Sequence, residues 1–292
     1  MDWPAIAAAI GSATRQPFKI TSRFATGGGC INQSYRICGQ DGRQFFVKLN
    51  EARYLPMFIA EAAGLAEIAA TNTIRVPQPI THGVSGEQSF LVLEYFELRH
   101  RGNQRLLGKQ LARLHRIQAE KFGWHQDNFI GTTPQSNDWA DNWPEFWRER
   151  RLRFQLDLAA RNRRGDRLQS LGERLLEILP AVFAGHRPQA SLLHGDLWGG
   201  NHGFLPDGTP VIFDHALYYG DRECDLAMTE LFGGFTSEFH AAYNAEYPLD
   251  AGYAVRKDLY NLYHILNHAN LFGGGYIRQA EKMIQQLLAE AG

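Results

Sequence analysis

Two carboxylates and an amide fall within one short stretch of the chain, LLHGDLWGGNHGFLPDGTPVIFD, residues 192–214. Asp196 follows a His-Gly pair, Asn201 comes five residues later, and Asp214 ends a short apolar run. A carboxylate beside an alcohol can accept its proton, and amide and carboxylate oxygens are ligands that Mg²⁺ prefers. This order of groups is typical of phosphoryl transfer from a magnesium-bound nucleotide to a hydroxyl group.

The neighbouring segments predict how these groups are held. An apolar run ends just before His194-Gly195-Asp196, so this triplet is expected on a loop, where its glycine permits backbone geometry that a side chain would forbid. Pro206-Asp207-Gly208 predicts a turn, and 211–213 a buried strand that ends at Asp214. Because a carboxylate at the end of an apolar strand is costly to bury alone, a metal ion is its expected neutraliser.

Each feature also has an ordinary structural explanation. Asp196 could simply occupy a turn after glycine, Asp214 could cap a helix, and His194 could be a hydrogen-bonded packing residue. The order HGDxxxxN, then an apolar strand, then Asp, favours the catalytic interpretation. It resembles the catalytic loop and metal-binding segment of eukaryotic-type kinases, in the form used by small-molecule kinases.

A glycine-rich turn lies near the N-terminus. Gly27, Gly28 and Gly29, followed by Cys30, separate predicted strands at 18–25 and 33–38. Three glycines alone would more often form a plain tight turn, and no GK[ST] follows, so this is not a Walker A sequence. With a strand lysine downstream, the turn is predicted to bind nucleotide phosphates.

That lysine is Lys48, on a third predicted strand at 44–49. Lys48 could be a surface residue, but its place after two strands and a glycine turn favours a contact with the α- and β-phosphates. A predicted helix at 57–70 contains Glu61 and Glu67. We expect Glu61 to face Lys48 and Glu67 to be solvated.

Two further strands are predicted at 79–84 and 89–93, and the second runs into a segment between two lobes. In a kinase-like fold this hinge binds adenine through its backbone, so main-chain groups of Glu94 and Phe96 are predicted to do so. The hinge is also the predicted boundary between a nucleotide-binding lobe, residues 1–96, and a catalytic and substrate-binding lobe, residues 97–292.

The second part of the chain is predicted to be mainly helical, with helices at 102–117, 143–160, 167–183, 221–232 and 253–272 and a loop at 121–134. Asp225 is predicted to hold the catalytic loop through backbone N–H groups. Asn267 and His268 could hydrogen-bond a polyhydroxylated substrate if the last helix lines the cleft. A run of arginines within 148–153 is expected to be a solvated face, and holding a substrate anion is its alternative role.

Composition limits the class of protein. The chain has 292 residues, of which 44% are hydrophobic and 21% charged, and its net charge is −1. This balance calls for neither nucleic acid nor an anionic membrane as a partner. Three cysteines without metal-ligand spacing indicate a reducing, cytoplasmic setting.

Seven segments together resemble the fructosamine kinases, also called ketosamine 3-kinases, across nearly the whole chain: GGGCINQSYRI, FFVKLN, EAAGL, FLVLEY, HGDLWGGN, YYGDRECDLAMTELFGGF and LNHANLFGGGY. HGDxxxxN is shared with aminoglycoside and choline phosphotransferases, whereas Trp198-Gly199-Gly200 and DLAMTELFGGF are more specific. The resemblance implies an α+β, two-lobed, protein-kinase-like fold. Its smaller lobe has an antiparallel sheet with one main helix, and its larger lobe is mainly helical.

The resemblance also implies a reaction, ATP-dependent phosphorylation of the 3-hydroxyl group of a ketosamine in repair of glycated material. It implies ATP and Mg²⁺ as cofactors, Asp196 as base, Asn201 and Asp214 as metal ligands, and Lys48 on the phosphates. The indole of Trp198 is expected at the sugar. One departure is His215, where the family usually has proline; it could loosen the metal-binding segment or add a titrating neighbour.

Cys30 is a family feature of the glycine turn. A thiol near an N–H-rich loop could be oxidised, so a monomer is expected with a redox-dependent dimer through Cys30 as a hypothesis.

Three other functions compete with ketosamine phosphorylation. They are an aminoglycoside- or amino-alcohol-directed phosphotransferase of the same fold, an inactive nucleotide-binding scaffold, and a metal-dependent phosphohydrolase built from His194, Asp196, His202, Asp214 and His215.

Overall fold

The computed structural model describes residues 2–27 and 31–290. Its N-terminal part contains a five-stranded antiparallel sheet with the strand order β1-β2-β3-β5-β4. The strands are β1 Ile20–Thr26, β2 Gln33–Gly39, β3 Gln44–Glu51, β4 Pro79–Ser85 and β5 Gln88–Glu94. All five follow the predicted strands to within two residues at each end. The central strand is β3, which carries Lys48 between Ser34 of β2 and Leu91 of β5.

Helices cover both faces of this sheet. On one face, α1 (Trp3–Thr14) packs Ile6 and Ile10 against Phe45, Val47 and other β-strand residues in a small separate core. On the other face lies α2 (Leu55–Ala70), whose apolar residues belong to the main core of the molecule. Because side chains alternate along β3, Lys48 points to the α2 face. The sheet therefore presents its lysine toward the rest of the chain.

The remaining chain is mostly helical. Its helices are α3 Gln104–Leu114, α4 Trp143–Phe146, α5 Phe154–Arg161, α6 Asp166–Val182, α7 Glu223–Leu231, α8 Ser237–Glu246, α9 Tyr253–Phe272 and α10 Gly275–Glu290. Short strands form three small antiparallel sheets: β6 Gln118–Ala119, β7 Asn128–Ile130, β8 Thr133–Gln135, β9 Ala190–Leu193, β10 His202–Phe204, β11 Pro210–Ile212 and β12 Tyr218–Gly220. The hairpin of β10 and β11 and the strand β9 carry the catalytic stretch.

Several predicted elements need correction. The region 121–134, predicted as a loop, includes β7 and the start of β8. The predicted helix at 143–160 is interrupted by a π-helical segment, Trp147–Arg153. Neither α8 nor α10 was predicted, so α9 is not the last helix. The lobe boundary after residue 96 stays a prediction.

The arginine run lies in this π-helical segment, and one member is not solvated. Arg151 is fully buried, donates to Asn137 Oδ1 at 2.7 Å, and lies 4.2 Å from the ring centre of Tyr218. The π-helical register turns it inward, while Arg150 and Arg153 remain at the surface in ion pairs with acidic residues. No helix in the described part of the chain is long and apolar enough to cross a membrane.

Candidate active site

A buried lysine joins the sheet, α2 and the end of the β10–β11 hairpin. Lys48 Nζ donates to Glu61 Oε1 at 2.6 Å and also to Asp214 Oδ1. Burial alone would lower the pKa of Lys48, but the negative charges of Asp214 and Glu61 raise it above its ordinary value. Lys48 is therefore a fixed cation, and the predicted pairing with Glu61 is confirmed.

The segment after β11 is held in an unusual conformation. Asp214 has φ 57°, a left-handed value that is uncommon for a residue other than glycine. The next residue, His215, accepts a hydrogen bond at Nδ1 from Leu217 N (3.3 Å) and donates from Nε2 to the Glu61 carbonyl (3.1 Å). The His215 ring packs directly against Gly64: a Cβ added to Gly64 would lie only 2.2 Å from His215 Cε1. His215 thus ties the Asp214 segment to α2 and does not loosen it.

The loop that carries Asp196 is shaped by glycine and by a buried carboxylate. Gly195 has φ 82°, and a Cβ there would lie 2.1 Å from the Ala216 carbonyl oxygen, so only glycine fits. Asp225, in the first turn of α7, accepts from His194 N at 2.7 Å and from Gly195 N at 2.8 Å. The predicted clamp by Asp225 is confirmed.

Asp225 remains charged although it is buried. Burial alone would raise the pKa of Asp225, but a hydrogen bond from His115 Nε2 (3.0 Å) and the electrostatic interaction with that residue lower it. An ionised acceptor makes stronger hydrogen bonds to the loop amides. The catalytic loop is therefore attached to α3 and α7 at once.

Asn201 links the two proposed catalytic carboxylates. Its Nδ2 donates to the backbone oxygen of Asp196 at 2.9 Å and to that of Asp214 at 3.2 Å, and it lies 3.3 Å from Asp196 Oδ2. Because the nitrogen donates to these acceptors and no described residue bonds to Oδ1, the amide oxygen is left to accept a hydrogen bond or to bind a metal ion. The structure thus brings Asp196, Asn201 and Asp214 together at one point beside Lys48.

Burial and the nearby charge of Asp214 raise the pKa of Asp196 to about 7. A carboxyl group with this pKa is suited to accept a proton near neutral pH. His264 of α9 lies beside it, with Nδ1 3.9 Å from Asp196 Oδ1. Burial lowers the pKa of His264 to about 3, so it is a neutral neighbour. His264 was not predicted as a site residue, because its distance from Asp196 along the chain gives no signal.

Two of the three histidines of the alternative phosphohydrolase site, His194 and His215, are already engaged, whereas His202 Nδ1 has no partner among the described residues. His194 Nε2 donates to the Phe213 carbonyl at 2.9 Å, and its Nδ1 accepts from Asp196 N at 3.2 Å. Both nitrogens of His215 are bonded as well. These imidazoles therefore have no lone pair to offer a metal ion, and the phosphohydrolase interpretation is not supported.

Glu67 was expected to be solvated, and this expectation is wrong. Its carboxylate accepts from Trp124 Nε1 at 2.7 Å and from Tyr219 OH at 2.9 Å. Both donors belong to the larger, helical part of the chain. Glu67 therefore fixes the second half of α2 against that part, as Glu61 and His215 fix the first half.

The hinge offers backbone groups on the sheet side. Glu94 N donates to the Gln78 carbonyl at 2.8 Å, and the Glu94 side chain pairs with Arg75 at 2.6 Å. The amide of Glu94 is therefore not available for the predicted adenine contact. The backbone of Phe96 has no hydrogen bond with any described residue.

The glycine turn is described only in part. At Gly27, an added Cβ would meet no atom within 4 Å. Gly28, Gly29 and Cys30 lie outside the described residues. Ile31 follows the turn, and a Cβ on Gly131 would lie 3.1 Å from Ile31 Cδ1 and 3.3 Å from Leu271 Cδ1. Ile31 therefore lies near the C-terminal end of α9.

Of the predicted substrate contacts, Trp198 and His268 are accessible and Asn267 is not. Trp198 is 38% exposed, and its ring lies over Gly200, where a Cβ would be 2.3 Å from it. Asn267 is buried, accepting from Gln155 Nε2 and donating to the Ile130 carbonyl. The predicted substrate contact of Asn267 is therefore wrong, because this face of α9 points into the core. Asn267 has a packing role instead.

The only cluster of possible metal ligands that shows the required close approach among the described residues lies elsewhere: His186, Glu223 and Asp250. Arg256 already donates to Glu223 at 2.7 Å and also pairs with Asp250. A guanidinium group thus occupies this cluster, which we interpret as an ion-pair network.

Comparison with known proteins places the chain in a family. The fructosamine kinase family model matches residues 2–290. A probable ketoamine kinase of Synechocystis is 51% identical over 98% of this chain and 97% of its own length. A protein-ribulosamine 3-kinase, chloroplastic, of Arabidopsis thaliana is 42% identical over 92% of this chain and 83% of its own.

Solved structures agree. A candidate fructosamine-3-kinase from Haemophilus somnus superimposes with a TM-score of 0.89 at 32% identity, covering 98% of this chain and 97% of that one. An aminoglycoside phosphotransferase at 12% identity has a TM-score of 0.60 and shares the fold. The predicted protein-kinase-like α+β fold is confirmed. The chain therefore belongs to the fructosamine kinase family and is an ATP-dependent kinase.

Proposed function

We propose that this kinase phosphorylates the 3-hydroxyl group of ketosamines, on small amines or on protein lysines, and so acts in the repair of glycated material. The similar proteins named ketoamine kinase and protein-ribulosamine 3-kinase support this substrate class. The observation that carries the proposal is the position of Asp196. Its carboxylate lies beside Asn201 and close to the Lys48–Asp214 pair, where an acceptor hydroxyl and a phosphate could meet.

Nucleotide binding is assigned to the sheet side of the cleft. Lys48 would contact the α- and β-phosphates, with Glu61 holding its ammonium group in place. The glycine turn, Gly27 to Gly29, would cover the phosphates with backbone N–H groups. Adenine would bond to the Glu94 carbonyl and the Phe96 amide.

Asn201 and Asp214 fit a magnesium ion. Asn201 has an amide oxygen left over after its nitrogen is used, and the Asp214 side chain is 46% exposed beside Lys48. Both are hard oxygen ligands of the kind that Mg²⁺ takes together with phosphates. Mg²⁺, when bound, would neutralise charge on the transferred phosphate. Asn201 donates to the backbone oxygens of both Asp196 and Asp214, so it lies between the proposed base and the proposed metal ligand.

Asp196 would act as the general base. The proton of the 3-hydroxyl would pass to the Asp196 carboxylate as the new O–P bond forms and the bond to the leaving phosphate breaks. The backbone N–H groups of His194 and Gly195, which precede Asp196, donate hydrogen bonds to Asp225 and hold the loop during this step. The indole face of Trp198 would lie against the sugar.

ATP consumption with a substrate panel tests the proposal. The panel contains ribulosamine and fructosamine adducts of one amine, the unmodified amine and sugars, and an aminoglycoside. We expect turnover of the ketosamines and a loss of turnover in Asp196→Asn. Turnover of the aminoglycoside alone would replace ketosamine phosphorylation by the related phosphotransferase activity.

A further inference from the structure

Five rings form a continuous surface beside the catalytic loop, which we call the aromatic strip: Trp198, Phe232, His268, Phe272 and Tyr276. The centres of neighbouring rings are 6.3 Å apart for Trp198 and Phe232, 5.3 Å for Phe232 and His268, and 5.0 Å for His268 and Tyr276. Phe272 lies 5.7 Å from His268. These distances are those of contacting aromatic rings.

The aromatic strip is open at three of its five members. Trp198 is 38% exposed, Phe232 is 40% exposed and Phe272 is 56% exposed. Single exposed hydrophobic residues are ordinary, but a contiguous exposed patch indicates a binding surface. At its far end, Phe272 and Tyr276 line an open cavity of about 480 Å³ together with Gly273, Gly274, Gly275 and Gln279.

The aromatic strip begins at the catalytic residues. Trp198 follows Asp196 by two positions on the same loop. On α9, His264 lies next to Asp196, and the His264 carbonyl accepts from His268 Nδ1 at 2.7 Å. The strip thus extends from the proposed base along α9 to the end of that helix.

Ile31, the first described residue after the glycine turn, lies near the same end of α9. Ile31 and Leu271 both approach Gly131, so the last turn of α9 lies near the entrance to the proposed phosphate site. A substrate whose sugar reaches Asp196 would therefore leave its amine substituent along the aromatic strip.

The chemistry of the strip suits one kind of substituent. Its faces can pack against a methylene chain, and they attract a nearby ammonium group. Nδ1 of His268 donates to its own helix, which leaves Nε2 to accept a hydrogen bond, and no described residue bonds to that atom. That atom could accept a hydrogen bond from a secondary ammonium group.

We propose that the aromatic strip is a subsite for the amine side of the substrate and binds the methylene stem and ammonium group of a modified lysine side chain. This inference rests on the proposed ketosamine kinase activity. The sugar sits at Trp198, the ammonium group near His268, and the peptide continues past Phe272 and Tyr276 to solvent.

Two ketosamines with the same sugar test the subsite. One is built on methylamine and the other on the ε-amine of a blocked lysine, and kcat/KM is measured for each with wild type, Phe272→Ala and Tyr276→Ala. Val255→Ala is the matched control, since Val255 is an exposed apolar residue of α9 (43%) about 25 Å along the helix from Phe272.

Wild type is expected to prefer the lysine adduct. Phe272→Ala and Tyr276→Ala should each lower kcat/KM for that adduct about five- to tenfold, through KM, and change the methylamine adduct less than about twofold. Val255→Ala should change neither. Equal losses on both adducts, or no loss on the lysine adduct, would overturn the subsite while leaving the kinase activity in place. If wild type turned over neither adduct, the proposed function itself would fail and the subsite with it.

Discussion

The two walls of the cleft differ in how their residues are held. On the side proposed to bind phosphates, Lys48 is buried and pairs with both Glu61 and Asp214. On the acceptor side, the rings of Trp198, Phe232 and Phe272 are exposed, and their ring contacts are with other aromatic rings of the strip. One wall is fixed before substrate arrives and the other is open.

This difference separates two tasks. Phosphoryl transfer depends on electrostatic positioning, for which preorganised charges are effective. Recognition of amines of different size needs apolar surface that tolerates variation. Changes on the phosphate wall should therefore affect turnover of all substrates, whereas changes on the acceptor wall should depend on the substrate.

The largest effect is expected for Asp196→Ala. Loss of a positioned base should lower kcat by about 10²–10⁴-fold for every ketosamine, while ATP binding is retained. Steady-state kinetics and a nucleotide titration measure the two. Asp207→Ala, in the exposed turn between β10 and β11, is the matched control and should be close to wild type. Near-normal turnover in Asp196→Ala would remove the assignment of the base.

The second-largest effect is expected for Asp214→Ala. Removal of a metal ligand and of one partner of Lys48 should weaken binding of the magnesium nucleotide on the order of 10²-fold, since a bound ion is worth several kcal/mol. Calorimetric titration with the nucleotide, with and without Mg²⁺, measures this. The loss should vanish when Mg²⁺ is omitted. An equal loss without Mg²⁺ would mean that Asp214 serves only to pair Lys48.

The contact between His215 and Gly64 of α2 predicts that substitutions at these two residues are coupled in their effect on stability. In wild type, Gly64→Ala should destabilise the protein by about 1–3 kcal/mol, because the new Cβ meets the His215 ring. With His215→Ala present, the same change should be neutral or stabilising, since alanine favours helix. Denaturant unfolding of the four proteins in a double-mutant cycle measures the coupling. Additive effects would contradict the contact.

The last prediction concerns the pH dependence of folding stability that Asp196 causes. The folded-state pKa of Asp196, about 7, lies above the value of about 3.9 of an unfolded chain, so stability falls as pH rises between these values. Asp196→Asn, which cannot ionise, should raise the Tm more at pH 8 than at pH 4.5, by about 2–4 °C for each kcal/mol of this pH-dependent loss. Thermal unfolding without nucleotide or Mg²⁺ measures this. The same gain at both pH values would mean that Asp196 ionises normally.

Sequence reasoning identified the residues whose type and order carry chemistry. Asp196, Asn201 and Asp214 share one stretch, and the strands around Lys48 have clear turn and alternation signals. The pairing with Glu61 and the clamp by Asp225 could be predicted because the partners lie on elements with recognisable ends.

The residues whose roles could not be predicted are those whose environment is set by tertiary contacts. Glu67 is indistinguishable in sequence from a solvated helix residue, and its partners Trp124 and Tyr219 lie 57 and 152 positions away. The inward turn of Arg151 follows from a π-helical register that periodicity does not show. Asn267, expected to contact substrate, is buried, and His264, for which no role was predicted, lies beside Asp196, because the rotation of α9 is set by packing.

The position of the transferred phosphate tests the central claim most directly. Wild type is incubated with ATP, Mg²⁺ and a ribulosamine adduct, and the product is examined by two-dimensional ¹H–³¹P NMR. The site we describe predicts a single product with a phosphorus coupling to the hydrogen on C3 and none in Asp196→Asn. Phosphate on another oxygen of the sugar, or ATP hydrolysis without a sugar phosphate, would contradict it.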